Sequence, residues 1–118
     1  MTLADTSVWV DHLRRSSLRL GQLLLDGEVL SHPFVIGELA CGFLTKRTEL
    51  LSLLGTLPKI VVAEHFEVLR LVDTQRLYGR GLGWIDMHLL ASAVMSRTPI
   101  WTLDRTLARI TSAMGVAV

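Results

Sequence analysis

The chain has 118 residues, 50% of them hydrophobic and 19% charged, with a mean hydropathy of +0.44. That length suits one domain, here 1–118, with a core of its own, and the composition excludes a disordered chain, which would be polar and charge-rich. Twelve basic and eleven acidic side chains leave a net charge of +1, which neither demands nor excludes a nucleic-acid partner.

Short strands and helices alternate along the chain. Thr2–Asp5 reads as a strand, and Thr6 and Ser7 can cap a helix from Val8 to about Arg15. Leu18–Asp26 reads as a second helix, ended by Gly27, and Glu28–Ser31 as a second strand. Pro33 opens a helix to about Thr45, in the first-turn slot where its missing N–H costs nothing. Lys46 to Leu54 is a further helix, stopped by Gly55. Lys59–Ala63 is short and β-branched, which predicts a third strand. Glu64–Tyr78 has apolar spacings of three and four, as in a helix. Gly79, Gly81 and Gly83 then break the chain. Ile85–Arg97 reads as a helix, Pro99–Leu103 as a strand, Arg105–Ala113 as a helix and Val116–Val118 as a last short strand. Strands separated by helices predict right-handed crossovers, hence an α/β fold with a parallel sheet covered on both faces. Ligands of such folds bind beyond the carboxyl ends of the strands.

The longest stretch without Asp, Glu, Lys or Arg is Met87–Ser96, ten residues, against about 20 for a membrane-spanning helix. The start of the chain lacks a cationic segment, and Asp5 and Asp11 interrupt its apolar run, so no signal peptide is expected. Cys41 is the single cysteine and cannot form an internal disulfide, which fits a reducing cytoplasm. It is expected in the core as a small apolar residue.

Four carboxylates stand alone in apolar sequence. Asp5 is the only charged side chain in residues 1–10, Glu38 the only one between Val29 and Thr45, and Asp86 the only one between Gly81 and Ser96. Asp104 follows six uncharged residues. Burying a lone carboxylate is costly unless it is paired, hydrogen-bonded or on a metal. Asp86 shares its helical face with Leu89, Leu90 and Ala93, and Glu38 shares its face with Phe34, Cys41 and Gly42. Asp5 and Asp104 each end a strand and precede a helix, so both should point from the sheet's carboxyl edge. Four acids in one place repel: two like charges 4 Å apart cost about 4 kcal/mol at an effective dielectric of 20. A hard divalent cation with oxygen ligands, Mg²⁺ or Mn²⁺, removes that repulsion and can serve phosphodiester hydrolysis. The plainer reading makes Asp5 and Asp104 helix caps and Asp86 an acid favoured by a helix dipole. Glu38, mid-helix, fits a cap poorly.

Asp5–Leu13 (DTSVWVDHL), Gly37–Ala40 (GELA), Ile85–Val94 (IDMHLLASAV) and Trp101–Leu107 (WTLDRTL) together resemble PIN-domain ribonucleases, in particular the VapC-type toxins of toxin–antitoxin pairs. The resemblance runs in order over essentially the whole chain. It implies a three-layer fold with a five-stranded parallel sheet of order 3-2-1-4-5. It also implies a quartet, Asp5, Glu38, Asp86 and Asp104, that binds Mg²⁺ or Mn²⁺ and cuts RNA. Thr6 and Thr102 match hydroxyl positions that support metal or water. A homodimer and an antitoxin that blocks the site are implied as well. Two departures are modest: the first strand is short, and Met87 stands where many relatives have a small residue.

Arg14 and Arg105, near Asp5 and Asp104 in sequence, are the first candidates for holding RNA phosphates. Arg15, Arg19, Arg76, Arg80 and Arg109 are expected mainly on solvated faces. His12, His32, His65 and His88 show no metal spacing and read as structural or surface residues. Trp9, Trp84 and Trp101 could stack bases, but lie in apolar runs and are expected in the core. Two rival functions remain. One is a non-catalytic dimeric binding module on the same fold. The other is a phosphoryl-transfer receiver or phosphatase, disfavoured because it wants a second acid beside Asp5, where Thr6 and Ser7 stand, or an aspartate after the third strand, where Glu64 stands.

Overall fold

The computed structural model describes all residues, Met1–Val118. Its elements in chain order are β1 (Thr2–Ala4), α1 (Thr6–Arg15), α2 (Leu18–Leu25), β2 (Val29–Leu30), α3 (Pro33–Ala40), α4 (Arg47–Thr56), α5 (His65–Thr74), α6 (Trp84–Ser96), β3 (Ile100–Trp101) and α7 (Arg105–Ala113). The sheet is parallel, with Leu3 opposite Leu30 on one side and Ile100 on the other.

The sheet corrects the expected five strands in order 3-2-1-4-5: it has three, in order β2-β1-β3. The segments Lys59–Ala63 and Val116–Val118 touch its edges through single parallel bridges, Ser31 to Lys59 and Ile100 to Ala117. The reason is the length of the neighbours. β2 has two residues, and Pro33 turns the chain into α3 just after Ser31, so the Ser31 N–H and C=O are the last groups an outer strand can use. They bond to Pro58 and Ile60, and Val61 and Val62, with no ladder to join, stay exposed. At the other edge β3 offers Ile100 alone before the chain turns toward α7. β-Branched composition is not enough where the partner strand has ended.

Two helices are shorter than their apolar patterns predict. α3 stops at Ala40 rather than Thr45; Gly42 follows, and Lys46 takes a left-handed conformation. α5 stops at Thr74 rather than Tyr78, where Arg76 turns left-handed and the Leu77 N–H closes back on Val72. Cys41, expected in the core, lies past the end of α3 and is exposed.

Packing explains the crossovers. α1 packs on α3 and α3 on α4, whereas α5 packs on α6 and α6 on β3. The first two connections step outward past β2 and, being right-handed, share one face; the α5–α6 connection steps back to β3 across the other. α6 is the central helix: every residue from Met87 to Ala93 is buried. It is apolar all round because it has no solvent face along that stretch. Leu3, Val8, Trp9, Leu20, Leu90, Ile100 and Leu107 join it in one core.

Candidate active site

The carboxyl ends of β1 and β3 meet the N-termini of α1, α6 and α7 through a small set of polar residues. Asp5 N-caps α1 and is 5% exposed, the one buried carboxylate of the four. Its oxygens accept hydrogen bonds from the Ser7 hydroxyl (2.5 Å), the Val8 N–H (3.2 Å) and the Thr102 hydroxyl (2.5 Å). The hydroxyls do further work in sequence. Ser7 Oγ accepts the Leu103 N–H at 2.9 Å, and Thr102 Oγ1 accepts the Asp104 N–H at 3.0 Å. One hydrogen-bonded network thus ties the end of β1 to the β3–α7 turn.

Asp104 N-caps α7, its carboxylate accepting the Leu107 N–H at 2.9 Å. Asp86 sits in the first turn of α6 and accepts the Gly83 N–H at 3.3 Å. Glu38 lies in mid-α3, where its Oε1 accepts the Thr6 hydroxyl at 2.6 Å. Glu38 and Asp104 are exposed and Asp86 is half-buried, so the apolar sequence around each acid does not translate into four buried charges. Three of the acids therefore do cap or charge a helix N-terminus, where each gains on the order of 0.3–1 kcal/mol from the dipole. Capping and clustering are not alternatives here.

Charge shows that the four belong together. Burial raises the pKa of Asp86, and the Gly83 N–H opposes that rise. The charges of Asp104, Asp5 and Glu38 then each push it up further. One half-buried carboxylate feels the other three, so the four share one electrostatic site.

The donor set, all hard carboxylate oxygens, fits a divalent cation such as Mg²⁺ or Mn²⁺ in kind and in charge. Its spacing is wider than a closed cage: no three of the protein's Asp, Glu, His or Cys side chains stand grouped to hold a metal ion. Each carboxylate is instead satisfied by the local hydrogen bonds above.

Thr6 and Thr102 both bond to acids of the quartet, Thr6 to Glu38 and Thr102 to Asp5. Arg14 is exposed on α1 and lines, with Thr6 and Glu38, an open groove of about 1040 Å³. Arg105 is exposed at the first position of α7. Neither forms an ion pair; the ion pairs are Arg15 with Asp11 and the N-terminus with Glu28. Both guanidiniums are thus free to meet phosphate.

Ser7 was legible only as a helix-start residue, yet it bridges Asp5 to the β3–α7 turn. The available signal was its spacing, a hydroxyl two residues after a strand-ending aspartate. The tryptophans divide: Trp9 is buried and Trp101 half-buried under the Arg19 guanidinium, but Trp84 is exposed, against expectation. His32 and His88 are buried, each with one ring nitrogen unpartnered, and Phe34 lies between them.

Comparison with known proteins bears on this site. The PIN domain family model matches residues 2–112. The chain is also 47% identical over 119 residues to "Ribonuclease VapC32" of Mycobacterium tuberculosis, strain CDC 1551 / Oshkosh and likewise strain ATCC 25618 / H37Rv. The alignment covers 100% of this chain and 96% of the relative in each case.

Proposed function

The chain belongs to the PIN-domain family, in its VapC-type ribonuclease branch, and from that membership we propose that it is a metal-dependent endoribonuclease, the toxin of a toxin–antitoxin pair. The observation that carries the site assignment is the shared field of the quartet: Asp86 is raised first by its burial and then by the charges of Asp104, Asp5 and Glu38 together. Asp5, Asp86 and Asp104 would hold Mg²⁺ or Mn²⁺, and Glu38 would complete the set or orient the attacking water. A bound divalent ion lowers the pKa of water and stabilises charge on the phosphate oxygens. Thr102 and Ser7 fix the Asp5 carboxylate, and Thr6 fixes Glu38. Arg14 and Arg105 hold the RNA backbone on either side. Water attacks phosphorus in line and the leaving oxygen departs, so no side chain forms a covalent bond to RNA.

Residues 1–118 act as one PIN-like unit. Its partners are RNA, a cognate antitoxin protein and a second copy of the chain, and its compartment is the cytoplasm. No helix is long and apolar enough to cross a membrane.

The rival, a non-catalytic binding module, draws on two observations: three of the acids have helix termini to stabilise, and no preformed metal cage exists. Cleavage assays on the purified chain separate the two. RNA cleavage is expected with Mg²⁺ or Mn²⁺, to vanish on chelation, and to fall roughly 100-fold or more in Asp5→Asn. Full activity in folded Asp5→Asn, or with chelator present, would remove the acidic cluster from the mechanism.

A further inference from the structure

We propose that the indole of Trp84, at the start of the helix that carries Asp86, is a stacking platform for an unpaired RNA base; this rests on the ribonuclease reading. Trp84 is 39% exposed, whereas Trp9 is 1% exposed, so it is not a core ring. It is nevertheless held in place. His88 meets it edge-on, at 4.9 Å between ring centroids and 86° between planes. His65 lies tilted against it at 5.0 Å. His88 is itself buried and packed on Phe34 at 4.4 Å. His65 of α5 and His88 of α6, the latter backed by Phe34 of α3, thus brace an indole that stays open to solvent. A braced aromatic ring loses little entropy when a partner stacks on it.

The position is the second argument. Trp84 opens α6 two residues before Asp86. The segment before it is glycine-rich and open: at Gly79 and Gly83 nothing lies within 4 Å of where a Cβ would stand. At Gly81 the nearest atom is the Thr106 methyl, 3.7 Å away. Thr106 belongs to the first turn of α7, which Asp104 caps, so Gly81 lies against the start of that helix, and the Gly83 N–H bonds the Asp86 carboxylate. An exposed aromatic face held in place by its neighbours is what an unpaired base of a single strand stacks on. Every base has a π-face, so the platform orients a strand without reading its sequence.

The test uses the full chain carrying Asp5→Asn, so that RNA is bound and not cut. Binding of an unstructured oligoribonucleotide is compared with that of an abasic ribose-phosphate oligomer of equal length. The Asp5→Asn parent is expected to prefer the base-bearing strand by roughly ten-fold, the scale of one stacked base. Adding Trp84→Leu should bring the two affinities near parity while circular dichroism and melting temperature stay unchanged, and adding Trp84→Phe should keep most of the preference. A folded Trp84→Leu protein that retains the full preference overturns the platform. So does loss of preference that tracks a change of oligomeric state in light scattering and is not restored by Trp84→Phe, because the ring is then a subunit contact. Wild type that cuts no RNA, with a parent that binds neither oligomer, overturns the ribonuclease reading and the platform with it. Wild type that cuts RNA, with Trp84→Leu cutting equally well at low substrate, overturns the platform alone.

Discussion

Asp86 is the residue on which burial and neighbouring charge act in the same direction. Its raised pKa means that the folded chain holds a proton there that the unfolded chain has released, in the window from about 3.9 upward. Stability contributed by that proton is present below the window and is lost as pH rises through it. At neutral pH the ionised carboxylate therefore disfavours the fold until a cation neutralises it. Asp86→Asn is expected to melt higher than wild type without metal and to lose the rise that Mn²⁺ gives wild type. Thermal melts of both proteins with and without Mn²⁺ check this, and an equal Mn²⁺ rise in both would place the ion elsewhere. His32 runs the other way. Burial first, and the charge of His88 second, lower its pKa to about 4. Between about 6.5 and about 4 the unfolded chain binds the extra proton, so stability is full above that window and falls as pH drops through it. His32 also caps α3, its Nδ1 accepting the Phe34 N–H at 3.0 Å. Asn can cap equally well, so His32→Asn should flatten the acid limb of stability in urea titrations run across that pH range. An unchanged limb would assign the acid sensitivity to other groups.

At the scale of elements, α6 does two jobs at two ends. Its first turn presents Asp86, and its middle, Met87 to Ala93, is buried throughout. Leu90 is fully buried there. Leu90→Ala should cost about 2–5 kcal/mol, read as a lower denaturant midpoint, and a loss below about 1 kcal/mol would mean that the core around it collapses readily. The helix was legible in the sequence because ten uncharged residues in a row can only be buried in a chain of this kind, and Gly83 and Arg97 bracket it. α7 was legible at both ends, from Asp104 as cap and Gly115 as stop. The outer strands were not. Lys59–Ala63 has strand composition, but pairing depends on how far β2 extends, and that is fixed by Pro33 from another part of the chain. The end of α3 was hidden for a similar reason: the run Leu39–Leu44 stays apolar after the helix has stopped, and Phe43 is wholly exposed.

At the scale of the whole molecule, the apolar composition exceeds what the core absorbs. Leu18, Leu25 and Phe43 are almost wholly exposed, and Val61, Val62, Phe66 and Leu69 are exposed together around the start of α5. Exposed apolar patches of this kind mark interaction sites. Light scattering at high concentration is expected to give a dimer, and a strict monomer would count against self-association.

Local sequence was enough to single out the candidate residues for the chemistry. A carboxylate in apolar surroundings must be justified by hydrogen bonds, charge or metal, and that requirement singles out Asp5, Glu38, Asp86 and Asp104 without coordinates. It also determined the alternation of strands and helices, because periodicity and capping are local. How the acids are held is a matter of long-range packing, through Thr102 on Asp5 and Thr6 on Glu38. The tertiary structure alone decided that the sheet has three strands and that Trp84 faces solvent. These are long-range outcomes: Thr102 meets Asp5 across 97 positions of sequence, and whether a strand pairs or a ring is covered depends on where distant segments end, which no local pattern encodes.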